Sequence, residues 1–130
     1  MVKTAVVILN WNGIRHRHLA EFLPTVLKHS AADAEVIVAD NGSDDDSLAW
    51  LEANHPGLRV IRNEENAGFA GGYNRALRQV EAEYYVLLNS DIETTENWIL
   101  PVTDMMDRDP LIAACQPGIL NQQEGFRDEF

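Results

Sequence analysis

An apolar run, Tyr84-Tyr85-Val86-Leu87-Leu88, stops abruptly at Asn89-Ser90-Asp91. Two earlier runs end in the same way. Glu35-Val36-Ile37-Val38-Ala39 leads into Asp40-Asn41-Gly42-Ser43-Asp44, and Ala5-Val6-Val7-Ile8-Leu9 leads into Asn10-Trp11-Asn12-Gly13. Short apolar runs bounded by turn residues read as buried strands. In an open α/β sheet, ligands sit just outside the carboxyl ends of the strands. Three strands therefore deliver amides and carboxylates to one edge of one sheet. Such groups can hydrogen-bond a base, and a strand-end carboxylate can ligate Mg²⁺ or Mn²⁺, hard ions that share oxygen ligands with phosphates. The pattern points to a pocket for a nucleotide with a divalent metal.

Each motif also has a plainer reading. In Asp40-Asn41-Gly42-Ser43-Asp44, Gly42 permits a tight turn and close ligand approach. Asp40 could accept hydrogen bonds from a base edge, while Ser43 and Asp44 could simply cap the next helix. In the segment Asn63 to Asn74, Gly68, Gly71, Gly72 and the asparagines sit at the mouth of a helix, where backbone N–H groups can approach a phosphate. This segment is neither the G-x-G-x-x-G fingerprint nor a P-loop, and the plainer reading is a flexible connection. A metal at Asp91 would neutralise charge developing on a diphosphate leaving group. The alternative is a helix cap, which Thr94 or Thr95 serves better. Trp11 could wall a base pocket or pack. His16, His18, His29 and His55 have no metal-ligand spacing with cysteine and read as surface residues.

The elements that must hold these groups alternate. Strands are expected at Thr4 to Leu9, Glu35 to Ala39, Leu58 to Arg62 and Tyr84 to Leu88, with a fifth at Leu111 to Gln116. Helices are expected at Arg15 to His29, with Pro24 kinking or restarting it, and at Ser47 to Asn54, capped by Ser47 or a preceding Asp. Two more are expected at Ala70 to Glu81 and at Thr95 to Met106, the last interrupted by Pro101 and burying Trp98, Val102 and Met105. Strand–helix alternation predicts an α/β fold, a mostly parallel sheet with helices on both faces. The polar stretch Asn121 to Phe130 shows no periodicity and reads as a tail.

The chain has 130 residues, 45% hydrophobic and 24% charged, which suits one globular domain. A net charge of −11 argues against nucleic acid as the main partner and against a polybasic membrane patch. The single cysteine, Cys115, excludes an internal disulfide and fits a reducing compartment. The first apolar run is too short for a signal peptide core or a membrane span. A cytoplasmic domain is expected.

Together the pieces resemble the nucleotide-binding half of a family 2 glycosyltransferase of the GT-A fold. The matching segments are Val6 to Gly13, Val38 to Asp45, Asn66 to Asn74 and Leu87 to Asp91, in family order across residues 4–120. The resemblance implies an α/β/α sandwich at 1–120 that binds a UDP- or dTDP-sugar. It implies that Asp40 binds the uracil or thymine ring, with Asn10, Asn12 and Ser43 beside the nucleoside. Asn66, Gly68 and Asn74 would line the nucleotide and sugar side, next to Asn89. Asp91 matches the last carboxylate of the family's DXD motif and would hold Mn²⁺ or Mg²⁺. Asn89 stands where the first carboxylate is usual, a departure shared with a branch resembling rhamnosyl- and galactofuranosyl-transferases, and it removes one charge from the metal site. The family transfers sugar with inversion to a hydroxyl of a glycan or lipid-linked acceptor, using a general-base carboxylate that lies beyond the DXD motif. No position here matches that base. The chain is therefore expected to be an N-terminal part or natural truncation that binds donor without efficient transfer. As a binding module it could dimerise through exposed apolar surface, and any peripheral membrane association would come through the missing parts. A nucleotidyltransferase ranks lower, because Asn10-Trp11-Asn12-Gly13-Ile14-Arg15 lacks the lysine of a glycine-rich activating loop.

Overall fold

The computed structural model describes residues 1–120. The expected tail at 121–130 lies outside them. Four strands, β1 (Val2–Asn10), β2 (Glu35–Asn41), β3 (Arg59–Asn63) and β4 (Ala82–Leu88), alternate with four helices, α1 (His18–Ser30), α2 (Ser47–Asn54), α3 (Gly68–Leu77) and α4 (Leu100–Arg108). The strands are all parallel, in the order β3-β2-β1-β4. The chain winds outward from β1 through β2 to β3, then crosses to the other side of β1 for β4. The winding direction thus reverses between β1 and β4, and such a switch point is where open α/β sheets bind ligands.

Alternation along the strands sorts the core into two layers. On one face Val6, Ile8, Val36, Val38 and Leu88 meet Leu19, Leu23 and Val26 of α1 and Leu51 of α2, with Ile99 at the start of α4. On the other, Ala5, Val7, Ile37, Ala39 and Ile61 meet Tyr73 and Ala76 of α3 and Val80 beyond it. β1 and β2 are covered on both sides, which is why their sequences are nearly continuous apolar runs. Register brings the polar ends into line: Asn10 lies opposite Asp40, and Asn41 opposite Asn63.

Several expectations are corrected. β4 is not a buried strand. It forms an edge of the sheet among the described residues, and Tyr85 and Leu87 remain 44% and 50% exposed. The cause is that α3 packs on β1, β2 and β3. No strand forms at 111–116. A turn at Pro110 and Leu111 leads into exposed chain without regular structure, and the Leu111 N–H donates to the Asp109 carboxylate (3.0 Å) in a local turn. α1 starts late because Asn12 (φ 51°) and Arg17 (φ 64°) hold left-handed conformations. Pro24 lies exposed within α1 without ending it; it has no N–H to donate to the Ala20 carbonyl, and Ala20 too lies on the exposed side of the helix.

Pro101 does not interrupt α4 but lies in its first turn, where a missing N–H costs nothing. Thr94 and Thr95 do not cap it. The Thr94 hydroxyl donates to the Thr25 carbonyl (3.2 Å), and His29 Nδ1–H donates to the Thr94 carbonyl (2.8 Å). His29 is thus an anchor between α1 and the segment before α4 rather than a plain surface residue. Met105 is 54% exposed, while Trp98 is half-buried and donates to Ser30 Oγ (3.1 Å). No helix among the described residues is long and apolar enough to cross a membrane.

Candidate functional site

The carboxyl ends of β1 and β2 carry a buried polar lattice centred on Asp40, which is 1% exposed. Asp40 Oδ1 accepts from Asn10 Nδ2 (2.9 Å) and from Ser43 Oγ (2.7 Å), and Oδ2 accepts from the Ser43 N–H (3.0 Å). Asn10 Nδ2 also reaches Ser43 Oγ (3.3 Å), which in turn accepts from the Asn12 N–H (2.9 Å). Asn12 Oδ1 accepts from the N–H groups of Asp44 (2.9 Å) and Asp45 (3.3 Å). The loops after β1 and β2 are therefore laced into one wall. Asn10, Asn12, Asp40 and Ser43, the residues singled out on this side, are brought together, with the first three fully buried.

A turn of the same lattice starts α2. Asp45 accepts from the Ser47 N–H at one oxygen (2.9 Å) and from the Arg15 N–H at the other (2.9 Å), a turn just ahead of the N-cap residue Asp46, whose own side chain makes no capping hydrogen bond. Burial pushes the Asp45 carboxyl up, but hydrogen bonds from Ser47 and Arg15 outweigh it and hold the group below the usual carboxylate value. Two buried atoms in the wall, Asn10 Oδ1 and Asn12 Nδ2, have no partner. The Asn10 oxygen lies 2.1 Å from where a Cβ on Gly13 would stand, so any side chain at position 13 would displace it.

A second lattice joins β2 to β3 and α3. Asn41 is 2% exposed. Its Nδ2 donates to Asn66 Oδ1 and to the Gly68 carbonyl, both at 3.1 Å. Its Oδ1 accepts from the Ala67 N–H (3.2 Å) and from Asn63 Nδ2 (3.3 Å). Asn66 Oδ1 also takes the Gly68 N–H (2.9 Å), leaving the Asn66 Nδ2 hydrogens for solvent or ligand. Gly42 (φ +74°) lets the backbones touch, since a Cβ there would lie 2.6 Å from the Glu65 carbonyl carbon. Tyr73, buried in α3, donates to the Leu88 carbonyl at the end of β4 (2.8 Å), and its burial pushes its pKa up to about 12.

Asn89 and Asp91 follow β4 and are exposed, as are Asn74 on α3 and Trp11 after β1 (48%). Trp11, Asn89 and Asp91 follow the two strands that flank the switch point, Asn74 lies within α3, and none of the four makes a hydrogen bond to either lattice. Among the described residues no group of three or more His, Cys, Asp or Glu side chains could hold a metal. This donor set fits a cation shared between Asp91 and a ligand's phosphate oxygens, a usual arrangement for Mg²⁺. It does not fit a metal caged by protein alone. An open depression lined by Arg62, Glu65, Arg75 and Arg78 lies on the β3 side, bridged by the Glu65–Arg75 ion pair at 3.1 Å.

Asn41 and Asn63 were not singled out from the sequence. The signal was present: β1, β2 and β3 each end on Asn, a residue rare inside strands, and adjacent parallel strands place such ends side by side.

Known proteins match this chain along most of its length. Residues 5–129 match the model of glycosyl transferase family 2. An uncharacterized glycosyltransferase, YfnE, of Bacillus subtilis is 28% identical over 116 residues, covering 88% of this chain and 29% of that protein. Chondroitin synthase of Escherichia coli is 33% identical over 78 residues, 58% of this chain and 11% of the synthase. Among solved structures, S. aureus TarS 1–349 in complex with UDP-GlcNAc superposes with a TM-score of 0.67 at 26% identity, over 82% of this chain and 32% of that one. The chain thus spans about a third or less of the length of these relatives. With four parallel strands reversing at β1 and β4, and a match spanning nearly every residue, the chain belongs to glycosyl transferase family 2.

Proposed function

We propose that this chain binds the nucleotide-diphospho-sugar donor of an inverting glycosyltransferase, with UDP or dTDP as the nucleotide and a glycan or lipid-linked hydroxyl as the eventual acceptor. The observation that carries the reading is the wall of Asn10, Asn12, Asp40 and Ser43 beside the switch point. The TarS complexes with UDP and UDP-GlcNAc, on a matching fold, support it.

In this reading Asp40 acts mainly by holding Asn10 and Ser43 in place. One lone pair remains on its Oδ2, enough to accept the ring N–H of uracil or thymine. Asn66 turns its free Nδ2 to the nucleotide, and Gly68, with φ +73° and nothing within 4 Å of an added Cβ, leaves backbone room on the sugar side. Asn74 and Asn89 extend the polar lining. Asp91 would hold Mn²⁺ or Mg²⁺, which when bound offsets charge on the departing diphosphate. Asn89 contributes no charge, so the cation leans on the diphosphate itself. Transfer further needs a general base and an acceptor site, which we assign to none of these residues.

The test is calorimetric titration of UDP, dTDP, UDP-GlcNAc and GDP with Mn²⁺ or with EDTA. Binding of a pyrimidine diphosphate that weakens in EDTA, with GDP bound more weakly, is the expected result. Equal affinity for GDP and UDP, or no binding of any, overturns it. Residues 1–120 alone, to none of which we assign a general base, should give the same titration and no sugar transfer to any acceptor in a panel.

A further inference from the structure

The structure assigns Asn41 as a positioning residue that clamps the Asn66–Gly68 loop to the end of β2 and thereby sets the diphosphate and sugar side of the donor site. This inference rests on the donor-site reading above. An Asn side chain offers two donors and two acceptor lone pairs, and Asn41 uses all of them: Asn66, Gly68, Ala67 and Asn63 each take one. Three of the four lie in the single loop that opens α3. The side chain is buried, and the site is closed around it. A Cβ on Gly72 would stand 2.9 Å from its Nδ2. Ala67 and Gly68 are among the residues whose N–H groups have no acceptor within the helix. Asn41 takes the first directly and the second through Asn66. The base side of the wall is built separately, from Asp40, Ser43 and Asn10, none of which shares a side-chain hydrogen bond with Asn41.

That separation gives the test. Uridine should need the Asp40 wall alone, while UDP-GlcNAc should need the clamped loop as well. Asn41→Asp is isosteric but sets a carboxylate oxygen against the Gly68 carbonyl and Asn66 Oδ1, and Asn41→Ser withdraws the contacts without adding charge. In the folded variants, UDP-GlcNAc affinity should fall by roughly tenfold or more, with uridine affinity within about twofold of wild type. Equal loss for both ligands would make Asn41 a merely structural residue, and retained UDP-GlcNAc affinity would also overturn the proposal. A measurement on the unmutated chain covers variants that fail to fold. The Asn41 side-chain amide and the Ala67 and Gly68 backbone amides should shift together in NMR spectra with UDP-GlcNAc and stay still with uridine. Movement with uridine, or none with UDP-GlcNAc, refutes it. Wild-type protein that binds neither UDP, dTDP nor UDP-GlcNAc defeats the donor reading itself, whereas UDP-GlcNAc binding without these effects defeats only the role of Asn41.

Discussion

Replacing Asp40 with Ala should damage the fold and not only the ligand site. Its carboxylate accepts three hydrogen bonds in a setting that is 1% exposed. Alanine leaves the Ser43 N–H and Ser43 hydroxyl without that acceptor, and leaves Asn10 Nδ2 only its longer contact to Ser43 Oγ (3.3 Å). Two part-buried donors left without an acceptor, at about 1–3 kcal/mol each, give a loss of about 2–6 kcal/mol. For a domain of this size that is a fall in Tm of roughly 6–20 °C. Asp40→Asn should be milder, because the unpartnered Oδ1 of Asn10 can rotate to accept from the new amide. Thermal melts followed by circular dichroism decide the matter. An Asp40→Ala melt within about 2 °C of wild type, with only nucleotide affinity lost, would refute the reasoning and restore Asp40 as a simple base reader.

Other outcomes follow from the same geometry. Asp91→Ala, at an exposed position, should leave the melt unchanged while removing the Mn²⁺-dependent part of UDP binding, and calorimetry with and without EDTA checks this. Gly42→Ala sets a Cβ 2.6 Å from the backbone of Glu65 at φ +74°, whereas Gly57→Ala meets nothing within 4 Å. The first should cost about 2–4 kcal/mol and the second little, as read by urea unfolding. Lys3 and Tyr84 both donate to Asp107 (2.6 and 2.7 Å), tying α4 to β1 and β4. The hydrogen bond to Asp107 lifts Tyr84 to about 12 and raises Lys3, while the bond from Lys3, then that from Tyr84, lowers Asp107. A lowered acid contributes above its unfolded value of 3.8 and loses that contribution as pH falls through its folded one. The raised groups contribute below 10.0 and 10.5 and lose it as pH rises through theirs. Asp107→Asn should therefore bring one phenol ionisation back toward 10.0 in an ultraviolet titration.

Much of the fold could be read from the chain because β1 and β2 are covered on both faces and show it as unbroken apolar runs. β4 looked the same in sequence, yet Tyr85 and Leu87 stay open. Apolar pattern reports what a strand could bury, not whether a helix reaches it. The run Leu111 to Gln116 misled for the same reason. Pro24 and Pro101 were read as breaks, but one sits on a solvated helix face and the other in a first turn. In the site, residue types pointed to the groups that the structure gathers into the wall, but not to how they are engaged. No sequence pattern says that Asp40 is already engaged by Ser43 and Asn10, since those bonds depend on the register of β1 against β2. The role of Asn41 was hidden because its partners, Asn63 to Gly68, come from the far side of another strand and loop.

The most direct test of the account is chemical-shift mapping of the isotopically labelled chain titrated with UDP in Mg²⁺. The account predicts shifts confined to the carboxyl edge of the sheet, at Asn10 to Gly13, Asp40 to Asp45, Asn66 to Gly68 and Asn89 to Asp91. Shifts centred on the Arg62, Arg75 and Arg78 depression, or on the amino ends of the strands, would contradict it.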